Sequence, residues 1–422
     1  MDIFRIAGPV RLKGTVTVNG SKNASLPIMA ACMLAEGKST ITGVPNLSDI
    51  SVCVELLSSA GCKIERNIKG DLEIDSTTID NPVGDYEIVR RMRASICVLG
   101  PLLARCRKAQ ISMPGGCAIG DRPVDIHLRG LRELGAKIHL ENGYITASAP
   151  NGLKGKEIFL GGPFGSTVLG TANVLMAAVL AKGKTVIESA ACEPEVADLA
   201  AFLNKMGAKI TGIGSPRLII EGVKQLRPAE YRIIPDRIEA GTFMVAAAIT
   251  SGELQIQNCR LDDMMAVVDK LRNIGIVVET SNGGCAVCKE KPLRPVEITT
   301  QPYPGFPTDL QAQFMALLSL AEGNSILIEK VFPDRFMHVA ELNRMNANLR
   351  KEGPVVIVAG TKKLMGAPVM ASDLRASAAL VLAGLAAEGT TIVNRVYHID
   401  RGYEKIENRL NPLGAKILRE KE

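Results

Sequence analysis

The sequence predicts an α/β protein in which one βαβαββ unit of about seventy residues is written six times, three units to a domain, with helices inside and sheets outside. Three observations predict it. A helix-ending phrase recurs along the chain, a second helix-to-strand phrase recurs upstream of it, and the first helix of each unit lacks a polar side.

The helix-ending phrase is clearest in Leu131-Arg-Glu-Leu-Gly-Ala-Lys-Ile138, Leu203 to Ile210 and Leu410 to Ile417, with looser copies at Leu57 to Ile64, Leu271 to Val278 and Leu342 to Leu349. Its turn position is held by Gly61, Gly135, Gly207, Gly275, Asn346 and Gly414, spaced by 74, 72, 68, 71 and 68 residues. Helices commonly end on a residue at positive φ, which Gly and Asn tolerate best. The upstream phrase is Leu34 to Ile41, Leu103 to Ile111, Leu180 to Ile187, Ile249 to Ile256, Leu320 to Ile328 and Leu385 to Ile392, again a helix passing into a strand. Turns such as Asn142-Gly143 and Asn282-Gly283 close the terminal hairpin of a unit.

First helices such as Phe243-Met-Val-Ala-Ala-Ala-Ile249 and Ala378-Ala-Leu-Val-Leu-Ala-Gly-Leu385 are apolar all round and should be buried, whereas the second helices carry charge along one side and should lie outside. Val223 to Glu230, with Arg227-Pro228, reads as the crossing between halves, and the strand near Thr15 to Val18 can pair with either half. The domains are set at 20–229, holding units one to three, and at 1–19 plus 230–422, holding units four to six, with the active site in the cleft between them.

Composition fits two such domains. The chain has 422 residues, more than one core usually serves, and its 46% hydrophobic and 22% charged residues are ordinary globular values. Trp is absent and aromatics reach only 4%, so the cores must be aliphatic. Lys plus Arg exceed Asp plus Glu by 50 to 44, which suits anionic ligands without the basic run of a nucleic-acid tail. Ten scattered cysteines behind Met1-Asp2-Ile3-Phe4-Arg5, which is no secretory leader, lead us to expect reduced thiols and a cytoplasmic location. Asp373, Arg375 and Gly384 interrupt the longest apolar stretch, so no membrane span is expected.

In a βαβ unit the loop entering a helix is where backbone N–H groups and the positive helix end gather anions. The first-helix entries read Asn19-Gly-Ser-Lys-Asn-Ala24, Arg91-Met-Arg-Ala-Ser95, Gly165-Ser-Thr-Val-Leu-Gly170, Asp236-Arg-Ile-Glu-Ala-Gly241, Phe306-Pro-Thr-Asp309 and Ser372-Asp-Leu-Arg-Ala376. Second-helix entries include Asp121-Arg-Pro-Val-Asp125, Pro333-Asp-Arg335 and Ile399-Asp-Arg401. If the mouths face one cleft, Lys22, Arg93, Arg122, Arg335, Arg375 and Arg401 gather there, and planar Arg forks match phosphate and carboxylate. The blander reading has Asp and Ser capping helices while Arg bridges neighbours.

Ser112-Met-Pro-Gly-Gly-Cys-Ala-Ile-Gly-Asp-Arg-Pro123 reads as a mobile loop that places Cys117 near cations, where a thiolate is favoured. Gly37-Lys38-Ser39 and Gly183-Lys184-Thr185 follow helices and are strand entries, not phosphate loops. Cys285-Ala-Val-Cys288 has no second pair and belongs to a hairpin, and His127, His139, His338 and His398 never fall at ligand spacing, so no metal and no cofactor are expected.

Lys22-Asn23, Pro114-Gly-Gly-Cys117 followed by Arg122-Pro-Val-Asp125, Phe306-Pro-Thr-Asp309 with Gln311, Asp334-Arg-Phe-Met-His338, Asp373-Leu-Arg-Ala-Ser377 and His398-Ile-Asp-Arg-Gly-Tyr403 together resemble the enolpyruvyl transferase family, specifically its members that act on UDP-N-acetylglucosamine. The resemblance covers essentially the whole chain. It implies two inverse α/β barrels, phosphoenolpyruvate and UDP-N-acetylglucosamine as substrates, and the opening step of peptidoglycan precursor synthesis. It implies Cys117 as general acid and covalent attachment point, Asp309 as acceptor of the sugar hydroxyl proton, and Lys22, Arg122 and Arg401 as the phosphoenolpyruvate clamp. Asn23, Arg93, Pro123, Val124, Asp125, Ile126 and Val331 are implied as sugar-nucleotide contacts, with Arg335, Asp373 and Arg375 near the reacting centre. Cys117 also implies sensitivity to the epoxide antibiotic fosfomycin. One segment departs from the enterobacterial pattern, since Ser166-Thr-Val-Leu-Gly170 stands where a Lys-x-Ser-Val-Gly run lies near the diphosphate.

The other readings are 5-enolpyruvylshikimate-3-phosphate synthase, which shares the chemistry, and a sliding-clamp-like DNA ring, which needs no Gly-rich cysteine loop. The expected partners are the two substrates, without nucleic acid or membrane, in a monomer or weak homo-oligomer. The resemblance predicts that Cys117→Ser nearly abolishes turnover, while Cys117→Asp, which retains a proton donor, keeps much of it. Steady-state phosphate release measures both, and wild-type rates in the serine variant remove Cys117 from the mechanism.

Overall fold

The computed structural model describes residues 2–114 and 124–421, and among them six four-stranded sheets repeat one pattern. The fifth unit shows it in full. Strand Glu297–Thr299 runs parallel to Asn324–Ile328, with helix Gln311–Leu318 between them in sequence. Asn324–Ile328 then pairs antiparallel with Val355–Ala359, which closes a hairpin with Asn348–Glu352 after helix His338–Arg344. Alternate residues of Val355–Ala359 are buried, so one face of the sheet meets helices and the other does not.

Three sheets are completed by strands remote in sequence. Lys38–Thr42 takes Glu230–Arg232 as its parallel neighbour, and Glu253–Gln257 takes Lys13–Thr17. Asp2–Gly8 lies antiparallel between Gly389–Asn394 and Ile417–Lys421. The N-terminal strand that could pair with either half therefore belongs to the fourth unit. The first unit, left without a leading strand of its own, receives one from residues 230–232.

By contacts the chain divides into two compact units, one running from Gly20 to Ile234, the other formed by the segment ending at Asn19 and the segment from Pro235 onward. Residues 230–234, assigned from sequence to the second domain, fall in the first, because Glu230–Arg232 is hydrogen-bonded into its sheet.

Each unit has its own aliphatic core. Helix Arg237–Ile249 is buried at every position from Ile238 to Ile249, and helix Leu374–Ala386 from Leu374 to Leu385. Each Leu, Val or Phe so enclosed contributes roughly 1.5–3 kcal/mol. Second helices bury one stripe only: Met265–Ile274 buries Val267, Val268, Leu271 and Ile274. No helix among the described residues is long and apolar enough to cross a membrane.

All six expected turn residues stand at positive φ, from 67° at Asn346 to 112° at Gly61. Beyond the turn lies a device that sequence reading missed. Asn204 donates to Ile210 O and accepts from Ile210 N, both at 2.9 Å, and Asn343 with Leu349 and Asn411 with Ile417 repeat the pair of bonds at the same distance. Arg132 and Arg272 make a single bond to the equivalent carbonyls of Ile138 and Val278. Gly37-Lys38-Ser39 and Gly183-Lys184-Thr185 enter strands Lys38–Thr42 and Lys184–Glu188, and Cys285 and Cys288 lie in strand Gly284–Lys289 of a hairpin.

Gly207 tests the turn chemistry alone, because nothing lies within 4 Å of a Cβ added there while φ is +104°. Gly207→Ala should lower the unfolding free energy by about 1–2 kcal/mol, and Gly207→Asn by less. Urea unfolding measures both, and equal losses for Ala and Asn would trace the turn to something other than φ.

Candidate active site

In the unit that contains Pro235 onward, Asp309 sits in the short turn Thr308–Leu310 leading into helix Gln311–Leu318. Two guanidinium groups hold its two oxygens. Arg335 Nη1 donates to Oδ1 at 2.8 Å, while Arg375 donates to Oδ2 from Nη2 at 3.0 Å and from Nε at 3.2 Å. The arginine side chains are 7% and 3% exposed and the carboxylate 26%, so the acid faces outward from cations that do not. Burial works most strongly on both arginines and against their charge, but Asp309 with Asp373 at Arg335, and Asp309 with Tyr403 and Asp236 at Arg375, together hold each above its ordinary pKa.

Arg375 is fixed by the helix that carries it. Asp373 caps helix Leu374–Ala386, accepting from Arg375 N at 2.8 Å and Ala376 N at 3.2 Å. Arg375 Nη1 also reaches Tyr403 Oη at 3.2 Å, which lies 2.8 Å from Thr242 Oγ1. Gln313 Nε2 donates to Thr242 Oγ1 at 3.2 Å and to the Asp309 carbonyl at 3.0 Å. A buried polar network therefore ties three otherwise apolar helices to the backbone of Asp309. Asp373 acts here as a cap, as does Asp236 for Ile238 N and Glu239 N, so the blander reading holds for these two.

Arg401 ends the turn Val396–Arg401 and is partly exposed, while its neighbour Asp400 pairs with Arg419 at 2.6 Å. Val331 N donates to Glu329 Oε1 at 2.8 Å. Glu329 was missed in the sequence, where a Glu closing the strand Ser325-Ile-Leu-Ile328 reads as a solvated strand end. His338 opens helix His338–Arg344 fully enclosed, and its Nε2 has no partner among the described residues.

In the Gly20–Ile234 unit, Lys22 begins helix Lys22–Ala31, where Ser21 Oγ accepts from Ala24 N at 3.3 Å. Lys22 Nζ lies 3.1 Å from Asp49 Oδ2, and both side chains are buried. Asp49 was not singled out from sequence, although it stands in the first turn of helix Ser48–Ser59. Asn23 follows Lys22, half-buried. Arg93 begins the turn Arg93–Val98 and donates to the Pro114 carbonyl at 3.3 Å, at the start of the Gly-rich segment. Val124 is buried, and Asp125 and Ile126 open helix Asp125–Glu133 with Asp125 exposed. Thr167 Oγ1 caps helix Val168–Ala178 by accepting from Gly170 N at 3.2 Å. Cys117, Arg122 and Pro123 lie outside the described residues. Among the described residues no His, Cys, Asp and Glu side chains group as metal ligands do.

Each unit by itself sets cations beside a carboxylate, Lys22 with Asp49 in one and Arg335 and Arg375 with Asp309 in the other, and comparison with known proteins gives these groups a context. Residues 6–410 match the family model described as EPSP synthase (3-phosphoshikimate 1-carboxyvinyltransferase). A protein of Trichlorobacter lovleyi named UDP-N-acetylglucosamine 1-carboxyvinyltransferase is 54% identical over 99% of both chains, and one of Methylacidiphilum infernorum with the same name is 53% identical over 99% of both. Among solved structures, the enolpyruvyl transferase NikO from Streptomyces tendae is similar with a TM-score of 0.89 at 25% identity, covering 99% of this chain and 98% of that one. EPSP synthase from Acinetobacter baumannii shares the fold with a TM-score of 0.74 at 20% identity over the whole of both chains.

Burial pushes the His338 imidazole from 6.5 down to about 4, with Asp373 acting in the opposite sense and Arg335 in the same one. The folded state thus binds fewer protons than the unfolded chain between those values. Stability from this site is complete above about pH 6.5 and is lost as pH falls toward 4. His338→Asn should flatten the decline in unfolding free energy across that window; parallel curves for the two proteins would assign the decline to other groups.

Proposed function

The chain belongs to the EPSP synthase family, the enolpyruvyl transferases, and from that premise we propose that it transfers the enolpyruvyl group of phosphoenolpyruvate to the 3-hydroxyl of UDP-N-acetylglucosamine, releasing phosphate. The observation that carries the acceptor is the 54% identity, over 99% of both chains, to a relative named for that reaction. The product opens peptidoglycan precursor synthesis. Both substrates are multiply charged and membrane-impermeant, so the reaction belongs in the cytoplasm.

The reaction is an addition followed by an elimination. Protonation of C3 of phosphoenolpyruvate makes C2 electrophilic, and the sugar 3-oxygen bonds to C2 as its proton leaves. The tetrahedral adduct then loses a proton from C3 and expels phosphate, restoring the double bond. In this reading Cys117 supplies the C3 proton and can bond covalently to phosphoenolpyruvate. Lys22, Arg122 and Arg401 hold the phosphate and carboxylate and balance their charge through the transition state. Asn23, Arg93, Pro123, Val124, Asp125, Ile126 and Val331 contact the sugar nucleotide.

Asp309 receives the proton of the sugar hydroxyl. Two guanidinium groups hold it, and each N–H that an incoming anion draws away makes proton transfer to the carboxylate easier. Arg335 and Arg375 therefore serve both partners, and Asp373 holds Arg375 by fixing the start of its helix.

The matching family model is described by shikimate 3-phosphate, which makes that compound the competing acceptor. Phosphate release from phosphoenolpyruvate should proceed with UDP-N-acetylglucosamine and not with shikimate 3-phosphate. Turnover of the latter alone overturns the proposal.

A further inference from the structure

Strand Asn324–Ile328 runs directly into Glu329, whose side chain is fully enclosed. Oε1 accepts from the Thr300 hydroxyl at 2.6 Å and from the N–H groups of Val331 and Phe332 at 2.8 and 2.9 Å. Oε2 accepts from the Thr308 hydroxyl at 2.8 Å. Each hydroxyl in turn accepts on its other side, Thr300 from Lys330 N at 2.9 Å and Thr308 from Arg335 Nη1 at 3.0 Å, which leaves each hydroxyl proton for Glu329. Four donors converge on one carboxylate, three on Oε1 and one on Oε2.

Two arms leave this carboxylate. One runs through Thr308 to Arg335 Nη1, the same nitrogen that donates to Asp309 Oδ1 at 2.8 Å. The other holds the backbone at Val331 and Phe332. We propose that Glu329 is a positioning residue for the acceptor sugar: it sets the proton direction of Thr308 so that Arg335 stays on Asp309, and it pins the backbone at Val331. The inference rests on the function proposed above, in which Asp309 takes the sugar hydroxyl proton and Val331 contacts the sugar nucleotide.

The chemistry demands an acid at this position. An amide at Glu329 keeps an acceptor for Val331 and Phe332 but turns an NH2 toward Thr308, so the hydroxyl must accept from both the amide and Arg335 and its own proton loses the acceptor that oriented it. A buried hydroxyl proton is then left without a partner, and Thr308 turns to find one, which loosens its hold on Arg335.

The test is steady-state kinetics of Glu329→Gln, Thr308→Val and Thr308→Ser beside the wild type, with both substrates varied and pH scanned. In Glu329→Gln and Thr308→Val, kcat/KM for UDP-N-acetylglucosamine should fall about tenfold to a hundredfold, the pH dependence of kcat should shift, and KM for phosphoenolpyruvate should stay within about twofold. Thr308→Ser, which restores the hydroxyl, should return close to wild type. Thr308→Val leaves Glu329 in place and decides the matter if Glu329→Gln does not fold. Variants that melt earlier but keep wild-type kcat, KM and pH profile overturn the proposal, as does a Thr308→Ser no better than Thr308→Val, or equal losses for both substrates. A wild-type chain inactive with UDP-N-acetylglucosamine overturns the functional reading first, before any variant is compared, and this assignment with it.

Discussion

A helix with no polar side has to be covered on every side, and this requirement shapes both compact units. Helices Lys22–Ala31, Leu99–Cys106 and Val168–Ala178 pack together in one, and Arg237–Ile249, Gln311–Leu318 and Leu374–Ala386 in the other. One sheet covers only part of such a bundle, so three units must close together before any is stable. The borrowed strands follow from the same need: without Lys13–Thr17 beside Glu253–Gln257, or Glu230–Arg232 beside Lys38–Thr42, a sheet would have three strands instead of four and cover less of the helices. The few polar residues on these helices are spent on connections. Asn173 accepts from Gly100 N at 2.7 Å and donates to Ile96 O at 2.8 Å, joining two repeats through one amide.

Features that depend on local backbone chemistry were legible in the sequence. Gly61, Gly135, Gly207, Gly275, Asn346 and Gly414 announce left-handed turns because few other residues tolerate them, and the apolar runs announce enclosed helices. The asparagine clamps at Asn204, Asn343 and Asn411 were not, although each stands three residues before its turn residue, since an Asn in the last turn of a helix does not announce which backbone groups it reaches. Strand pairing over more than two hundred residues, as between Lys13–Thr17 and Glu253–Gln257, has no local signature either. In the site, the helix mouths named Asp309, Arg335 and Arg375 together, but Asp49 and Glu329 read as solvated acids until their partners across the fold are seen.

Lys22 shows why charge placement says more than charge count. An ammonium in the first turn of a helix faces the positive end of the dipole, which disfavours it. Here it is also buried, with Asp49 3.1 Å away as compensation. Losing one partner of such a pair typically costs about 3–5 kcal/mol, whereas apolar residues of similar volume often do as well or better than the pair itself. Stability alone therefore gives no reason for the pair. A helix entrance that must present both N–H groups and a cation to an anion does give one, and the proposed phosphoenolpyruvate clamp is such a use.

Asp309 raises the complementary question of how a carboxylate between two guanidinium groups can accept a proton at all. Positive charge within hydrogen-bond reach favours the ionised form of a carboxylate in general. Exposure separates the partners: the arginine side chains are 7% and 3% exposed, while the carboxylate is 26% exposed. Thr308 and Tyr403 already share the donors of these arginines from within the fold, and a ligand arriving beside the carboxylate can share them from the other side. On the proposed function that ligand is the anionic substrate pair, so the base becomes competent when the site is filled and stays quenched when it is empty. On that proposal the geometry that holds Asp309 in place also couples proton transfer to occupancy, and Glu329, anchoring Arg335 from behind through Thr308, would set how far that guanidinium can lean toward the ligand.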